Sequence, residues 1–164
     1  MKLFLMRHAK AADTYPDEGR KLSERGRAQI KSLCGSLGAG AFQNVVQIWH
    51  SPYERARQTA EALKRELSLP APLLKVSNIT PCAPPAETAR TIASISRFGG
   101  DLIVVSHNPF LEELANLMLN VRGGPPRIAF RTCSVAALRL EGDGGDFGVW
   151  AAEFLVHPKL FPER

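Results

Sequence analysis

The sequence predicts an α/β protein, a three-layer α/β/α sandwich around a mostly parallel central sheet with an antiparallel edge. Short apolar runs at 3–6, 45–48 and 102–105 predict strands, and the first and third are unbroken, as in parallel strands covered on both faces. Helical spacing of apolar residues separates these runs. Two further runs, 134–140 and 147–155, flank a glycine-rich segment and predict a hairpin at the sheet edge.

Four apolar stripes predict the helices that cover the sheet. Ser23 is placed to cap the first helix, Pro70 follows the second, and Gly99 and Gly100 end the third. The proline-rich segment 70–85 predicts a loop. The stripes are, in chain order, Ile30, Leu33, Leu37; Ala56, Ala60, Leu63, Leu67; Thr88, Ile92, Ile95; and Leu111, Leu114, Ala115, Met118.

Length and composition predict a single globular domain over residues 1–164 and exclude disordered, collagenous and disulfide-scaffold classes. The three cysteines form no Cys-x-x-Cys pair, so we expect neither a disulfide framework nor a zinc site. The first apolar run is too short for a signal peptide, and no apolar stretch is long enough for a membrane span, so we expect a cytoplasmic protein that does not bind membranes. The net charge is +5 without long Lys/Arg runs, which indicates a mildly basic surface and no nucleic-acid partner.

Histidines and arginines follow three of the predicted strands. Arg7 and His8 come directly after the first strand, Arg55 follows the second, and His107 follows the third. Ligands of open α/β sheets bind at the carboxyl ends of the strands, so we expect these side chains to share one pocket.

Two of these strand ends also have the pattern of helix starts. Residues 51–54 fit a capping box with a proline at the first helical position, and residues 108–109 repeat the order of cap and proline. Helix N-termini favour anions because they present free N–H groups and a partial positive charge. Together with Arg7 and Arg55, they predict a pocket for a phosphate group.

A histidine in such a pocket can act as a nucleophile. Neighbouring arginines disfavour the imidazolium form, and a neutral imidazole can accept a phosphoryl group. We therefore assign His8 as the candidate nucleophile and His107 as a donor to a phosphoryl oxygen. A lone histidine at a strand end is more often structural, and His50 and His157 are interpreted in that way.

These residues resemble the motifs of the histidine phosphatase superfamily, which includes phosphoglycerate mutases and is named for its Arg-His-Gly motif. The resemblance covers most of the chain in order and rests on the segments 7–8, 22–26, 51–60 and 105–107. Within the superfamily, segments 7–10, 79–82 and 106–109 are similar to the SixA-type phosphohistidine phosphatases. The resemblance implies a phosphoglycerate mutase-like fold, a covalent phosphohistidine on His8, a phosphate clamp of Arg7, Arg55 and His107, and no metal.

The sequence departs from the superfamily pattern at two places. Ala9 stands where the motif has glycine, and we expect this small residue to be tolerated. Many relatives place an acidic proton donor after the second helix, but the stretch 76–83 has no carboxylate, which leaves Glu87 or Asp17 as candidates. General acids supply about 10²–10⁴-fold in rate. A phosphohistidine leaves as an imidazole that can be protonated on its own ring, so a site without a strong acid suits P–N substrates.

The connection between the second and third helices predicts an open pocket. Residues 68–87 include five prolines, and a short stiff segment of this kind is not a cap domain. An open pocket can admit a phosphohistidine on another folded protein, and also a small phosphorylated molecule. Lys10 and Arg20 could widen a positive rim around it or could simply be solvated.

Three alternatives remain open at this point. The first is a small-molecule phosphomonoesterase of the same superfamily, with Glu87 or Asp17 as its acid. The second is a phosphate-binding regulator without catalysis. The third arises because Cys133 and Arg139 have the Cys-x₅-Arg spacing of cysteine-based phosphatases, although the residues between them read as a strand and we interpret the spacing as coincidence.

Overall fold

A computed structural model describes residues 1–121 and 123–161 of the chain. Its six-stranded sheet has the strand order β3-β2-β4-β1-β5-β6. The first four strands pair in parallel, β5 pairs antiparallel with β1, and β6 pairs antiparallel with β5. This confirms a mostly parallel sheet with an antiparallel edge. The strands are β1 (Lys2–Arg7), β2 (Val45–His50), β3 (Leu73–Lys75), β4 (Asp101–Ser106), β5 (Val135–Gly142) and β6 (Val149–Val156).

Four helices cover the two faces of this sheet. Alternate residues of β1 point to opposite faces, as strand geometry requires. Phe4 and Met6 pack with residues of α1 and α2, whereas Leu3 and Leu5 pack with residues of α3 and α4. The predicted three-layer sandwich is therefore confirmed. The helices are α1 (Glu24–Leu37), α2 (Glu54–Glu66), α3 (Pro85–Ile95) and α4 (Phe110–Met118), with short 3₁₀ turns at Asp17–Gly19, Ala39–Phe42, Ser96–Phe98 and Pro158–Leu160.

The segment predicted as a loop at 70–85 contains the edge strand β3. Leu73 pairs with Ile48 of β2, and the pairing is parallel. The prediction was wrong here because three residues between prolines are too short to show a periodic pattern. Among the helices of the described residues, none has both the length and the apolar character needed to cross a membrane.

The predicted cap of α1 is confirmed, and that of α2 is not. Ser23 Oγ accepts a hydrogen bond from the backbone N–H of Gly26. Helix α2 begins at Glu54 rather than at Pro52, and no side chain caps its N-terminus. The Glu54 carboxylate turns outward and accepts hydrogen bonds from side chains of its own helix. The capping box predicted for residues 51–54 is therefore wrong, and Ser51 is free for another contact.

The predicted start of α4 also differs from the structure. The helix begins at Phe110, and the Asn108 side chain does not cap it. Asn108 Nδ2 instead donates to the Glu112 carboxylate at 2.6 Å and to the Phe130 carbonyl at 3.0 Å. These contacts fasten the loop that contains Phe130 to the end of β4.

Candidate functional site

The ends of β1 and β4 bring two histidines together at one edge of the sheet. Arg7 pairs with Ser106 in the register of these strands, and the backbone N–H of His8 donates to the Ser106 carbonyl at 3.0 Å. His107 follows Ser106 directly. The ring centroids of His8 and His107 are consequently 4.9 Å apart. Parallel pairing thus produces the meeting of strand ends that the sequence predicts.

His8 is held as a neutral imidazole with its lone pair on Nε2. Its Nδ1–H donates to the Ala9 carbonyl at 2.8 Å, and its Nε2 accepts from the Nε–H of Arg55 at 3.1 Å. The pKa of His8 is lowered to about 4, chiefly by burial; the Ala9 hydrogen bond opposes this lowering, and the positive charges of Arg55, Arg7 and Arg20 add to it. Nε2 is therefore unprotonated at neutral pH, and its lone pair is engaged by the Arg55 Nε–H until that donor turns to another acceptor.

Arg55 is buried and fixed by several contacts. Its Nη1 donates to the Asp17 backbone carbonyl at 2.6 Å, and its Nη2 pairs with the Asp17 carboxylate at 3.0 Å. The guanidinium also lies 4.9 Å from the centre of the Tyr53 ring. Thr59 Oγ accepts from the Ala9 N–H and donates to the Arg55 carbonyl, which ties α2 to the loop after β1. This places Arg55 against the nucleophile before any ligand binds.

Arg7 is held by a backbone carbonyl of the loop that precedes β5. Its Nη1 donates to the Phe130 carbonyl at 2.7 Å. Its Nε is buried and has no hydrogen-bond partner among residues 1–121 and 123–161. Burial lowers the pKa of Arg7, as does the charge of Arg55, while Glu112 raises it. An arginine has such a high ordinary pKa that it remains charged here.

His107 is the most deeply buried of the four predicted site residues, with 2% of its surface exposed. Its Nε2 lies 2.8 Å from Ser51 Oγ. Its Nδ1 is buried without a hydrogen-bond partner in the described part of the chain. The pKa of His107 is lowered to about 2, chiefly by burial and also by His8 and Arg55, so its ring is neutral at neutral pH.

A cavity of about 310 Å³ opens above these residues. In the described ranges, four buried side-chain nitrogen or oxygen atoms lack a hydrogen-bond partner, and three of them belong to residues that line this cavity: Arg7 Nε, His107 Nδ1 and Asn108 Oδ1. Unpaired buried polar atoms are costly, so their concentration here indicates a place for a ligand. The cavity lining contains four cationic side chains and one carboxylate, so it favours an anion. The cationic residues are Arg7, Lys10, Arg20 and Arg55, and the carboxylate is that of Asp17.

Of the two candidate acids, only Asp17 lines the cavity. Burial raises the pKa of Asp17, but hydrogen bonds from Arg20 and Arg55 outweigh this and lower it overall. The Asp17 carboxylate is therefore ionised and holds no proton to donate at neutral pH. Glu87 is exposed in the first turn of α3 and is not part of the lining.

The side chains of the cysteine-based alternative do not form a site. Cys133 is fully buried in the apolar core, and burial raises the pKa of its thiol, which disfavours the thiolate. Arg139 is exposed on β5 and pairs with Glu141 at 2.8 Å. Neither residue lines the cavity, and neither do His50 and His157.

Three supporting contacts of the site were not predicted from the sequence. Ser51 contacts His107, Thr59 joins Arg55 to the loop after β1, and the Phe130 carbonyl holds Arg7. Ser51 and Thr59 belong to the sequence motif at 51–60, but their hydrogen-bond partners depend on the fold. A backbone carbonyl such as that of Phe130 leaves no signal in the sequence.

The model of the histidine phosphatase superfamily (branch 1) matches residues 3–75, which contain Arg7, His8 and Arg55. The phosphohistidine phosphatase SixA of Escherichia coli strain K12 is 26% identical to this chain over 152 residues, which are 92% of each protein.

Solved structures extend the similarity to the whole fold. A structure of the protein histidine phosphatase SixA complexed with tungstate has a TM-score of 0.85 and 25% identity, covering 98% of this chain and 99% of that one. A mycobacterial glucosyl-3-phosphoglycerate phosphatase has a TM-score of 0.67 at 15% identity, covering 93% of this chain and 96% of that one, and so shares the fold alone. Motif order, sheet topology and these similarities all point to the histidine phosphatase superfamily, whose members this chain resembles in sequence and in fold.

Proposed function

We propose that this protein hydrolyses phosphohistidine on another protein, through a covalent phosphohistidine on His8 and without a metal ion. The observation that carries the proposal is the unprotonated Nε2 of His8, held beside Arg55 in a cavity that Arg7 and His107 also line. The similarity to a phosphohistidine phosphatase supports the substrate class. Tungstate, present in the similar structure, is a tetrahedral oxyanion like phosphate.

The first step transfers the phosphoryl group to His8. The Arg55 Nε–H turns from Nε2 to a phosphoryl oxygen, and the freed lone pair of Nε2 attacks phosphorus in line with the P–N bond of the substrate, which breaks as the new N–P bond forms. The electron pair of the broken bond stays on the departing imidazole nitrogen, and the substrate ring leaves neutral because its other nitrogen carries a proton. Arg7, Arg55 and His107 donate to the nonbridging oxygens and stabilise their charge.

The second step returns the enzyme to its starting state. A water oxygen attacks phosphorus, the bond to Nε2 breaks, and its electron pair returns to Nε2 while the water proton passes to solvent or phosphate. The Ala9 carbonyl holds the proton on Nδ1 throughout, at 2.8 Å. The phosphorylated ring is therefore cationic, and it leaves as neutral imidazole in this step.

The acid–base groups of the cavity favour a P–N substrate over an alkyl ester. An alkoxide leaving group needs a proton from the enzyme, and the one carboxylate in the lining is ionised by its pairing with Arg20 and Arg55. An imidazole leaving group carries its own site of protonation. The positive charge of the two clamp arginines supplies the charge neutralisation that a metal ion supplies in other phosphatases.

The experiment that tests this proposal compares turnover of a phosphohistidine-bearing protein with turnover of a panel of phosphate esters, including sugar phosphates. We expect hydrolysis of phosphohistidine to be the fastest, to be unaffected by EDTA, and to be lost in His8→Ala. His157→Ala is the matched control, because it removes a histidine outside the cavity lining, and it should keep wild-type turnover.

Each alternative has its own result in this assay. Faster hydrolysis of sugar phosphates than of phosphohistidine would contradict the proposal and favour the small-molecule phosphomonoesterase. Phosphate binding without turnover of any substrate would favour the non-catalytic regulator. Loss of turnover on chelation would contradict the metal-free mechanism.

A further inference from the structure

The contact between Ser51 and His107 has a chemical consequence for the cavity. Ser51 follows β2 and is fully buried, and its backbone N–H donates to the Val105 carbonyl of β4 at 3.0 Å. Its Oγ lies 2.8 Å from His107 Nε2. The hydroxyl is therefore fixed by the sheet and not by a flexible loop.

The direction of this hydrogen bond follows from the other contacts of the hydroxyl. The backbone N–H of Tyr53 lies 3.4 Å from Ser51 Oγ and points at it as a donor. Among the residues that the structure describes, His107 Nε2 is the one acceptor within reach of the Ser51 hydroxyl proton. If the bond ran the other way, this proton would be buried without an acceptor, which is unfavourable. Ser51 O–H therefore donates to Nε2.

This direction decides where the proton of the His107 ring resides. A neutral imidazole has one N–H, so a ring that accepts at Nε2 carries its proton on Nδ1. His107 Nδ1 is the buried nitrogen that has no partner among residues 1–121 and 123–161. An Nδ1–H donor is satisfied by a phosphoryl oxygen, whereas an Nδ1 lone pair would repel it.

We propose that Ser51 is a positioning residue that fixes His107 in its Nδ1–H tautomer, so that a neutral histidine donates to the phosphoryl group. The expected effect of Ser51 on catalysis rests on the proposed function, whereas its effect on the His107 tautomer does not. It also gives a reason why a serine stands at this strand end, where no helix cap forms.

The test is nitrogen-15 NMR of the histidine rings, recorded on the full-length protein at neutral pH. In the wild type we expect His107 to show a protonated Nδ1 and an unprotonated Nε2. In Ser51→Ala we expect the population to shift toward Nε2–H. Affinity for inorganic phosphate should fall about tenfold, and so should kcat on phosphohistidine, because a tenfold change is about the size expected for the loss of one hydrogen bond.

Two further variants separate this role from a structural one. Ser106→Ala removes a neighbouring buried hydroxyl that donates to the Ile79 carbonyl at 2.6 Å, so it should lower stability but leave the His107 tautomer unchanged. Ser51→Thr keeps the hydroxyl and should restore the Nδ1–H form.

The wild-type spectrum alone can overturn the inference. An Nε2–H tautomer of His107 in the wild type would contradict it, and so would an unchanged tautomer in folded Ser51→Ala. Because neither spectrum involves a phosphohistidine substrate, failure of the proposed activity and failure of this inference give different results.

Discussion

Asp17 lines the cavity of the candidate site as an ion-pair partner of two arginines, and replacing it tests its role most sharply. Its carboxylate pairs with Arg55 at 3.0 Å and with Arg20 at 3.1 Å, while about half of its side-chain surface (53%) is exposed. A phosphoryl group that binds Arg55 has to compete with this carboxylate. Asp17→Asn removes the negative charge and keeps the shape of the side chain, so we expect tighter binding of anionic ligands.

The size of the effect follows from the exposure of the pairs. Exposed ion pairs contribute about 0.2–1 kcal/mol each, a range that already includes solvent screening, so the two pairs together contribute about 0.4–2 kcal/mol. This corresponds to a decrease of about two- to thirtyfold in KM and in the inhibition constant of inorganic phosphate. We expect kcat on phosphohistidine to change by less than about twofold, because an ionised carboxylate supplies no proton.

The assay is steady-state hydrolysis of a phosphohistidine-bearing protein by the wild type and Asp17→Asn, with phosphate inhibition measured in parallel. Asp13→Asn is the matched control, since Asp13 is exposed and does not line the cavity. If Asp17 were the general acid, kcat would fall by about 10²–10⁴-fold. Such a fall, or a higher KM, would refute this account of the cavity.

Four further predictions concern the clamp, the pH dependence, the packing of the site and the cysteine. Arg55→Ala should reduce kcat by about 10²–10³-fold in the same assay, the scale for losing one preorganised donor. His8 is protonated near pH 6.5 in the unfolded chain and near pH 4 in the folded one, so the free energy of unfolding should fall as the pH is lowered. His8 should account for about 2 kcal/mol of the loss between pH 7 and 5. Urea unfolding of wild type and of His8→Ala at both pH values measures this contribution as the difference between their two losses. In thermal unfolding, Gly26→Ala should destabilise the protein by about 1–3 kcal/mol, because the new Cβ would lie 2.1 Å from the Lys10 carbonyl oxygen. Gly35→Ala on the same helix is the control: its Cβ meets no atom within 4 Å, and it should stabilise the protein by about 0.5–1 kcal/mol. Cys133→Ser should keep wild-type turnover. If the folded variant lost turnover, the result would favour the cysteine-based mechanism instead.

The sequence predicted the elements whose patterns are long and regular. The unbroken runs at 3–6 and 102–105 lie in the central strands β1 and β4, and the four apolar stripes lie on the four helices except for Leu67, which directly follows α2. The meeting of Arg7, His8, Arg55 and His107 was also predictable, because parallel strands present their carboxyl ends at one edge.

What could not be predicted depends on tertiary contacts. Strand β3 has three residues and forms because β2 offers an open edge, which no local pattern records. Ser51 and Asn108 have the residue types of helix caps, yet their side chains hydrogen-bond across the site instead. Local capping rules rank the preferences of a residue, and a buried partner from a distant strand or loop overrides them. The ionised state of Asp17 likewise depends on two arginines that only the fold brings to it.

The central claim is that His8 carries the phosphoryl group during turnover. Rapid quenching of wild-type protein mixed with a protein substrate labelled with radioactive phosphate on histidine tests it directly, with peptide mapping under alkaline conditions that preserve phosphohistidine. The account predicts transient, acid-labile label on His8 that forms and decays at the rate of turnover, and no label in His8→Ala. Turnover with no label on His8, or with label on another residue, would contradict it.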